Sequence, residues 1–143
     1  MVEWWGGGVV ECPSMALAST FKDLRVWQQA MDVAMQVFAL SKHFPPEERY
    51  SLTDQIRRAS RSVASNIAEG WRKRRYEAAF CSKLNDSEGE AAEVQTCIEV
   101  ARRCGYVSDT AAAEIDAACE AILAQLATMI SASSQRCKGF TRS

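Results

Sequence analysis

The chain has 143 residues, about half of them hydrophobic, with only three prolines and a formal net charge of −1. That length suits one domain with a core large enough to need no staples. The composition excludes disorder over most of the chain, and the near-zero charge excludes a polyelectrolyte.

Residues 1–19 differ from the rest. Trp4-Trp5-Gly6-Gly7-Gly8 cannot hold a helix, because each glycine costs about 1 kcal/mol there, and Pro13 adds a break. A flexible arm is expected over 1–19, a helical bundle over 20–132, and a polar, frayed tail over 133–143.

The first helix is expected from Thr20, with Asp23 three residues on forming a near capping box. Leu24, Trp27, Met31, Ala34 and Phe38 make one apolar stripe, and Val26, Ala30, Val33, Val37 and Leu40 a second. Two stripes centred roughly 120° apart call for cover on two sides, most simply by the chain's own bundle and by another subunit. Phe44-Pro45-Pro46 ends this helix, since proline lacks a donor and disfavours helix in the residue before it.

The second helix is expected from Ser51 to about Gly70, with Asp54 at the box position. Leu52, Ile56, Ala59, Val63 and Ile67 face inward, and Arg57, Arg58 and Arg61 project to the other side. Glu69 and Gly70 read as helix-end residues, glycine admitting a left-handed backbone. Asn66, beside the core stripe, is expected to bond across the bundle or cap a neighbouring element.

The third helix carries Phe80, Leu84, Ser87, Ala91, Val94, Ile98 and Ala101 at alternating spacing. Its small middle (Ser87, Gly89, Ala91, Ala92) permits close approach of a neighbour, and Gly105 is placed to close it. The fourth follows Ser108 as cap, with Ile115, Ala118, Ile122, Leu126 and Met129 inward. Four long helices on short turns predict an all-α, up-down-up-down antiparallel four-helix bundle. No strand-like alternation competes.

The six cysteines show no CxxC spacing, and four lie in helical patterns where cysteine acts as a small hydrophobe. No basic region followed by an apolar run opens the chain, and no run approaches about 18–20 uninterrupted apolar residues. A reduced, cytosolic protein without a membrane partner is expected.

Catalytic and metal chemistry find little material. His43 is the sole histidine and sits at a helix end, where a C-terminal capping role is expected. A bundle metal centre would need inward carboxylates with an ExxH pair. Asp86, Glu90 and Glu93 share one helix face and could hold a divalent cation, but a solvated or intersubunit acidic face is the favoured reading. No enzyme and no cofactor are expected.

Charge is unevenly distributed. Between Arg57 and Arg75, seven basic residues (Arg57, Arg58, Arg61, Arg72, Lys73, Arg74, Arg75) face one acid, Glu69. From Asp86 to Glu120, nine acids face Arg102 and Arg103. Guanidinium groups bind phosphate bidentately, and Trp71 and Tyr76 flank the run as stacking candidates, so these seven residues form a candidate nucleic-acid surface. Alternatively, the acidic helices neutralise the run within or between subunits.

Phe21-Lys22-Asp23-Leu24-Arg25-Val26-Trp27-Gln28, Phe44-Pro45-Pro46-Glu47-Glu48-Arg49-Tyr50, Leu52-Thr53-Asp54-Gln55-Ile56-Arg57-Arg58-Ala59 and Ser65-Asn66-Ile67-Ala68-Glu69-Gly70 resemble the four-helix-bundle proteins encoded in intervening sequences of bacterial 23S ribosomal RNA genes. The resemblance covers about residues 21–132. Similar to that family are the accessory variability determinant proteins of diversity-generating retroelements. The resemblance implies a bundle without catalysis, a homo-oligomer that is commonly a pentameric ring, and, by analogy with the retroelement relatives, RNA or other nucleic acid as partner of Arg57, Arg58, Arg61 and Arg72 to Arg75. Ala64 stands where many members have proline, which predicts a straighter second helix. Trp71 to Arg75 replaces a smaller, less basic turn.

Overall fold

A computed structural model of the chain describes residues 18–140, with side chains described through residue 133. All but residues 18 and 19 of the arm expected over 1–19, and all but residue 133 of the tail expected over 133–143, therefore lie outside the described side chains, as do Cys12 and Cys137.

Four α-helices carry the fold: α1 (Arg25–Ser41), α2 (Leu52–Arg72), α3 (Glu77–Arg103) and α4 (Asp109–Phe140). No strand occurs among the described residues. Consecutive helices pack on one another and α1 closes the ring against α4, where the side-chain amides of Gln29 and Gln125 bond. The connections are short, so neighbours run antiparallel, and the expected all-α bundle is what forms.

The inward stripes are those the periodicity demands. Leu52, Ile56, Ala59, Val63 and Ile67 of α2 are all buried, as are Phe80, Leu84, Ser87, Ala91, Val94, Ile98 and Ala101 of α3. In α1 the stripe through Val26, Ala30, Val33 and Val37 is buried, while Trp27, Met31 and Leu40 are only partly covered. In α4 Ile115, Cys119, Ile122, Leu126 and Met129 are buried, and Ala118 lies at the margin.

Helix ends differ in detail from expectation. The Thr20–Asp23 capping box exists, but it closes a 3₁₀ turn (Phe21–Asp23), and α1 begins only after extended Leu24. Ser51 precedes α2 without capping it; its hydroxyl donates to Glu48 Oε1 at 2.8 Å instead. Ser108 does cap α4, accepting from the Ala111 amide at 3.1 Å. Gly105 ends α3 as expected, with φ +78°; its amide donates to the Arg102 carbonyl and the Tyr106 amide to that of Ala101, a Schellman closure.

Gly70 does not take the left-handed backbone expected of it. It lies inside α2, buried at the crossing with α3, where a Cβ would stand 3.3 Å from Leu84 Cδ2 and 3.4 Å from Lys83 Cβ. The small-residue approach thus falls at Gly70. A Cβ at Gly89 would meet nothing within 4 Å. Ser87 supplies the other close contact, its buried hydroxyl donating to the Val63 carbonyl at 2.5 Å. Ala64 is buried and α2 runs unbroken through it. Asn66 is half-buried, and its amide forms neither of the expected bonds among the described residues.

By length and composition alone, Asp109–Ser133 of α4 is apolar enough to cross a membrane, with mean hydropathy 1.4, a test that core helices also pass. Here Glu114, Asp116 and Glu120 interrupt it, and Ile115, Ile122 and Leu126 are buried in the bundle.

Candidate nucleic-acid interface

The basic run does not form one surface. α2 rises about 1.5 Å per residue, so Arg72 lies roughly 16 Å along the axis from Arg61. The structure splits the seven candidates into a corner group beside the end of α1 and a turn group at and just beyond the far end of α2.

The corner is set by local sequence. Phe44 is buried and packs on Tyr106 with ring centroids 5.7 Å apart, which pins the chain as it leaves α1. Pro45 is extended (φ −64°, ψ 151°) and starts a 3₁₀ turn, Pro46–Glu48, leading into α2. The result is an open groove of about 480 Å³ lined by Lys42, Arg49, Arg57, Arg58 and Arg61, with Asp54 the acid among them. Asp54 pairs with Arg58 at 3.0 Å, one turn along α2.

Arg57 does not simply project outward. Its Nε donates to Ser41 Oγ at 2.7 Å, and its guanidinium carbon sits 4.8 Å from the Phe38 ring centre. Ser41 is buried, and its own hydroxyl donates to the Phe38 carbonyl at 3.1 Å. Lys42 Nζ lies 4.7 Å from the same ring. One aromatic ring thus holds two cations by cation–π attraction, worth about 0.5–1 kcal/mol each at such exposure. Arg61 is exposed and has no ion-pair partner among the described residues.

In the turn group, Arg74 lies 4.0 Å over the Trp71 ring and donates from Nη1 to the Trp71 carbonyl at 2.9 Å. Arg72 sits 5.9 Å from the Phe21 ring. Lys73 and Arg75 are exposed without ion pairs among the described residues. Trp71 is buried, so of the two flanking aromatics only Tyr76, 66% exposed, is open to a base.

Sequence reasoning missed Lys42 and Arg49, which lie outside the 57–75 run and join it only through the corner. It missed Ser41 as well, whose one signal was a polar residue at a position that continues the buried face of α1.

The acidic residues are largely committed within the chain. Glu99 takes Arg102 at 2.7 Å and Arg103 at 2.9 Å, and these hydrogen bonds hold its carboxyl down to about 2. Glu69 takes Lys83 at 2.8 Å, and Glu93 accepts from the Gln55 amide at 3.1 Å. Glu90 lies beside Glu93; partial burial, then the neighbouring charge, raises its pKa. Among the described residues no group of three or more His, Cys, Asp or Glu is placed to hold a metal ion.

No curated protein matches the chain significantly. One similar solved structure is a protein of unknown function from the S23 ribosomal protein family of Bacteroides thetaiotaomicron VPI-5482. It is 25% identical with a TM-score of 0.67, over 73% of this chain and 97% of that one. The family model described as 23S rRNA-intervening sequence protein matches residues 22–128, which takes in all of α1, α2 and α3 and the corner groove. On that match the chain belongs to the 23S rRNA-intervening sequence protein family.

Proposed function

We propose that this protein is a non-enzymatic, oligomeric bundle that binds RNA or other nucleic acid through its basic residues. The observation that supports this is the set of cations left without a carboxylate. Arg61, Lys73, Arg75, Lys42 and Arg49 form no ion pair among the described residues, while Glu99, Glu69 and Asp54 are engaged by other side chains. Phosphate is an anion that guanidinium groups bind bidentately and that lysines pair with as point charges, and the sequence resemblance to the accessory variability determinant proteins of retroelements fits the same reading. Labelled single-stranded RNA titrated at two salt concentrations tests it. Each phosphate contact contributes about −0.7 to the slope of log K against log salt, so four to six contacts give a slope of roughly −3 to −4. Affinity that ignores salt refutes the reading.

A second reading is a protein-interaction module in which the arginines meet acids of a neighbouring subunit, in a pentamer if the family pattern holds. It is favoured by Met35, 53% exposed on α1 beside the half-covered stripe, and by Asp86 and Glu90, which form no ion pair among the described residues. Arg61→Glu separates the two. A changed mass in light scattering supports the module; an unchanged mass with lost RNA binding supports the nucleic-acid reading.

A further inference from the structure

The corner groove differs from an ordinary basic patch in being concave, fixed and over-supplied with cations. Its floor is built by Arg57, whose Nε is tied to a buried serine while no hydrogen bond engages its two Nη groups among the described residues. Lys42 is drawn to the same Phe38 ring, so one ring gathers two like charges at the groove. Arg61 lies one turn further along α2 from Arg57, and Arg49 enters from the turn that precedes the helix. Thr53 in the first turn of α2 also lines the groove and brings the positive end of the helix dipole to it. The single acid, Asp54, is occupied by Arg58.

Four cations without acid partners among the described residues, around one groove, exceed what a single phosphodiester, with one negative charge, can balance. The arrangement suits two negative charges a few ångströms apart. Tyr50, 87% exposed, stands at the same corner with the Arg49 guanidinium 5.9 Å from its ring. An aromatic face that open, next to a phosphate site, can carry the base of the adjoining nucleotide.

We propose that the groove between Lys42, Arg49, Arg57 and Arg61 is a discrete binding site for two closely spaced phosphate negative charges, with Tyr50 as the platform for the neighbouring base. It rests on the nucleic-acid reading for its natural source of phosphate, and two sources share the chemistry. One is a terminal phosphate monoester; the other is a pair of successive phosphodiesters along a strand. The site also assigns different work to the two halves of the basic run. The corner captures a defined phosphate, whereas Lys73 and Arg75 at the far turn add attraction without a fixed geometry.

The experiment uses the full chain and pyrophosphate as a small probe, followed by calorimetry, with Arg61→Gln and Arg75→Gln compared. Both side chains are exposed, so circular dichroism should show unaltered folding. Arg61→Gln is expected to weaken pyrophosphate binding about tenfold or more, the effect of losing a charge-assisted contact, and Arg75→Gln to change it by less than about twofold. Hexauridylate with a 5′-phosphate or a 5′-hydroxyl, titrated into the same proteins, distinguishes the sources. A loss confined to the phosphorylated hexamer identifies the monoester, and equal loss for both identifies successive diesters. Tyr50→Ala should weaken both hexamers by a larger factor than it weakens pyrophosphate, because it removes the stacking platform while only loosening Arg49. Pyrophosphate that fails to bind, or that binds Arg61→Gln as well as the parent, overturns the proposal; salt-dependent hexamer binding in that case leaves the broader reading standing. Groove-dependent pyrophosphate binding with no hexamer binding at either salt concentration supports the site and refutes the nucleic-acid reading.

Discussion

Alanine at Gly70 and at Gly89 separates a glycine required by packing from one that is not. Both lie inside helices, where alanine gains about 1 kcal/mol of helix propensity. At Gly89 the added methyl meets nothing within 4 Å. The full gain should appear as about 1 kcal/mol of added stability and about 3–4 °C in Tm. At Gly70 the methyl would stand 3.3 Å from Leu84 Cδ2 and 3.4 Å from Lys83 Cβ. Leu84 is fully buried, and Lys83 is tied to Glu69 at 2.8 Å, so neither yields freely. Overpacking of this kind costs about 1–3 kcal/mol, which cancels or exceeds the propensity gain. Gly70→Ala should therefore be neutral to about 2 kcal/mol destabilised, and the gap between the two variants about 1–3 kcal/mol. Urea denaturation measures that gap directly, provided the m-values agree. Equal stabilisation by both substitutions would refute the close α2–α3 crossing.

Four further outcomes follow from the structure. Ser87→Ala deletes the buried hydrogen bond to the Val63 carbonyl and should cost about 1 kcal/mol in the same denaturation assay. Glu99 has its folded pKa depressed from 4.5 to about 2, so its contribution is full above pH 4.5 and is lost as pH falls from there towards 2. The stability advantage of the parent over Glu99→Gln should shrink across that window, and Glu90→Gln, which removes a carboxylate with a raised pKa, should instead stabilise at pH 7. In a Cys12→Ser, Cys137→Ser background, exposed Cys104 should react first with a thiol reagent. Burial pushes Cys97 up to about 11 and Cys119 up to about 12, so those two should react only on unfolding.

The helices were legible because their apolar positions repeat strictly. Leu52 to Ile67 and Phe80 to Ala101 admit only one buried face each, and both faces are buried. Helix ends were less so, because the same cap chemistry serves different turns. Thr20 and Asp23 form their box, yet the box closes a 3₁₀ turn. The role of Gly70 was hidden for a different reason: what crosses a glycine is a fact about the partner helix, and α3 is not visible from α2's own sequence.

The basic run shows the same limit at the level of function. Counted along the chain, Arg57 to Arg75 is one dense segment, and the turn after Gly70 reads as the part with fewer obvious acidic partners. Folding changes both points. Arg72 and Arg74 turn towards the Phe21 and Trp71 rings, whereas Lys73 and Arg75, exposed like them, have no ring contact or ion pair among the described residues. Meanwhile Arg57 and Arg61 gain Lys42 and Arg49 from across the corner. A charge count along sequence measures how much cation a segment carries; binding depends on how much of it converges. By that measure the corner, where a buried serine and the Phe38 ring hold Arg57 and the same ring holds Lys42, is the better-organised half. Substitutions at Arg61 and Arg75, which change formal charge equally, are for that reason expected to have unequal effects.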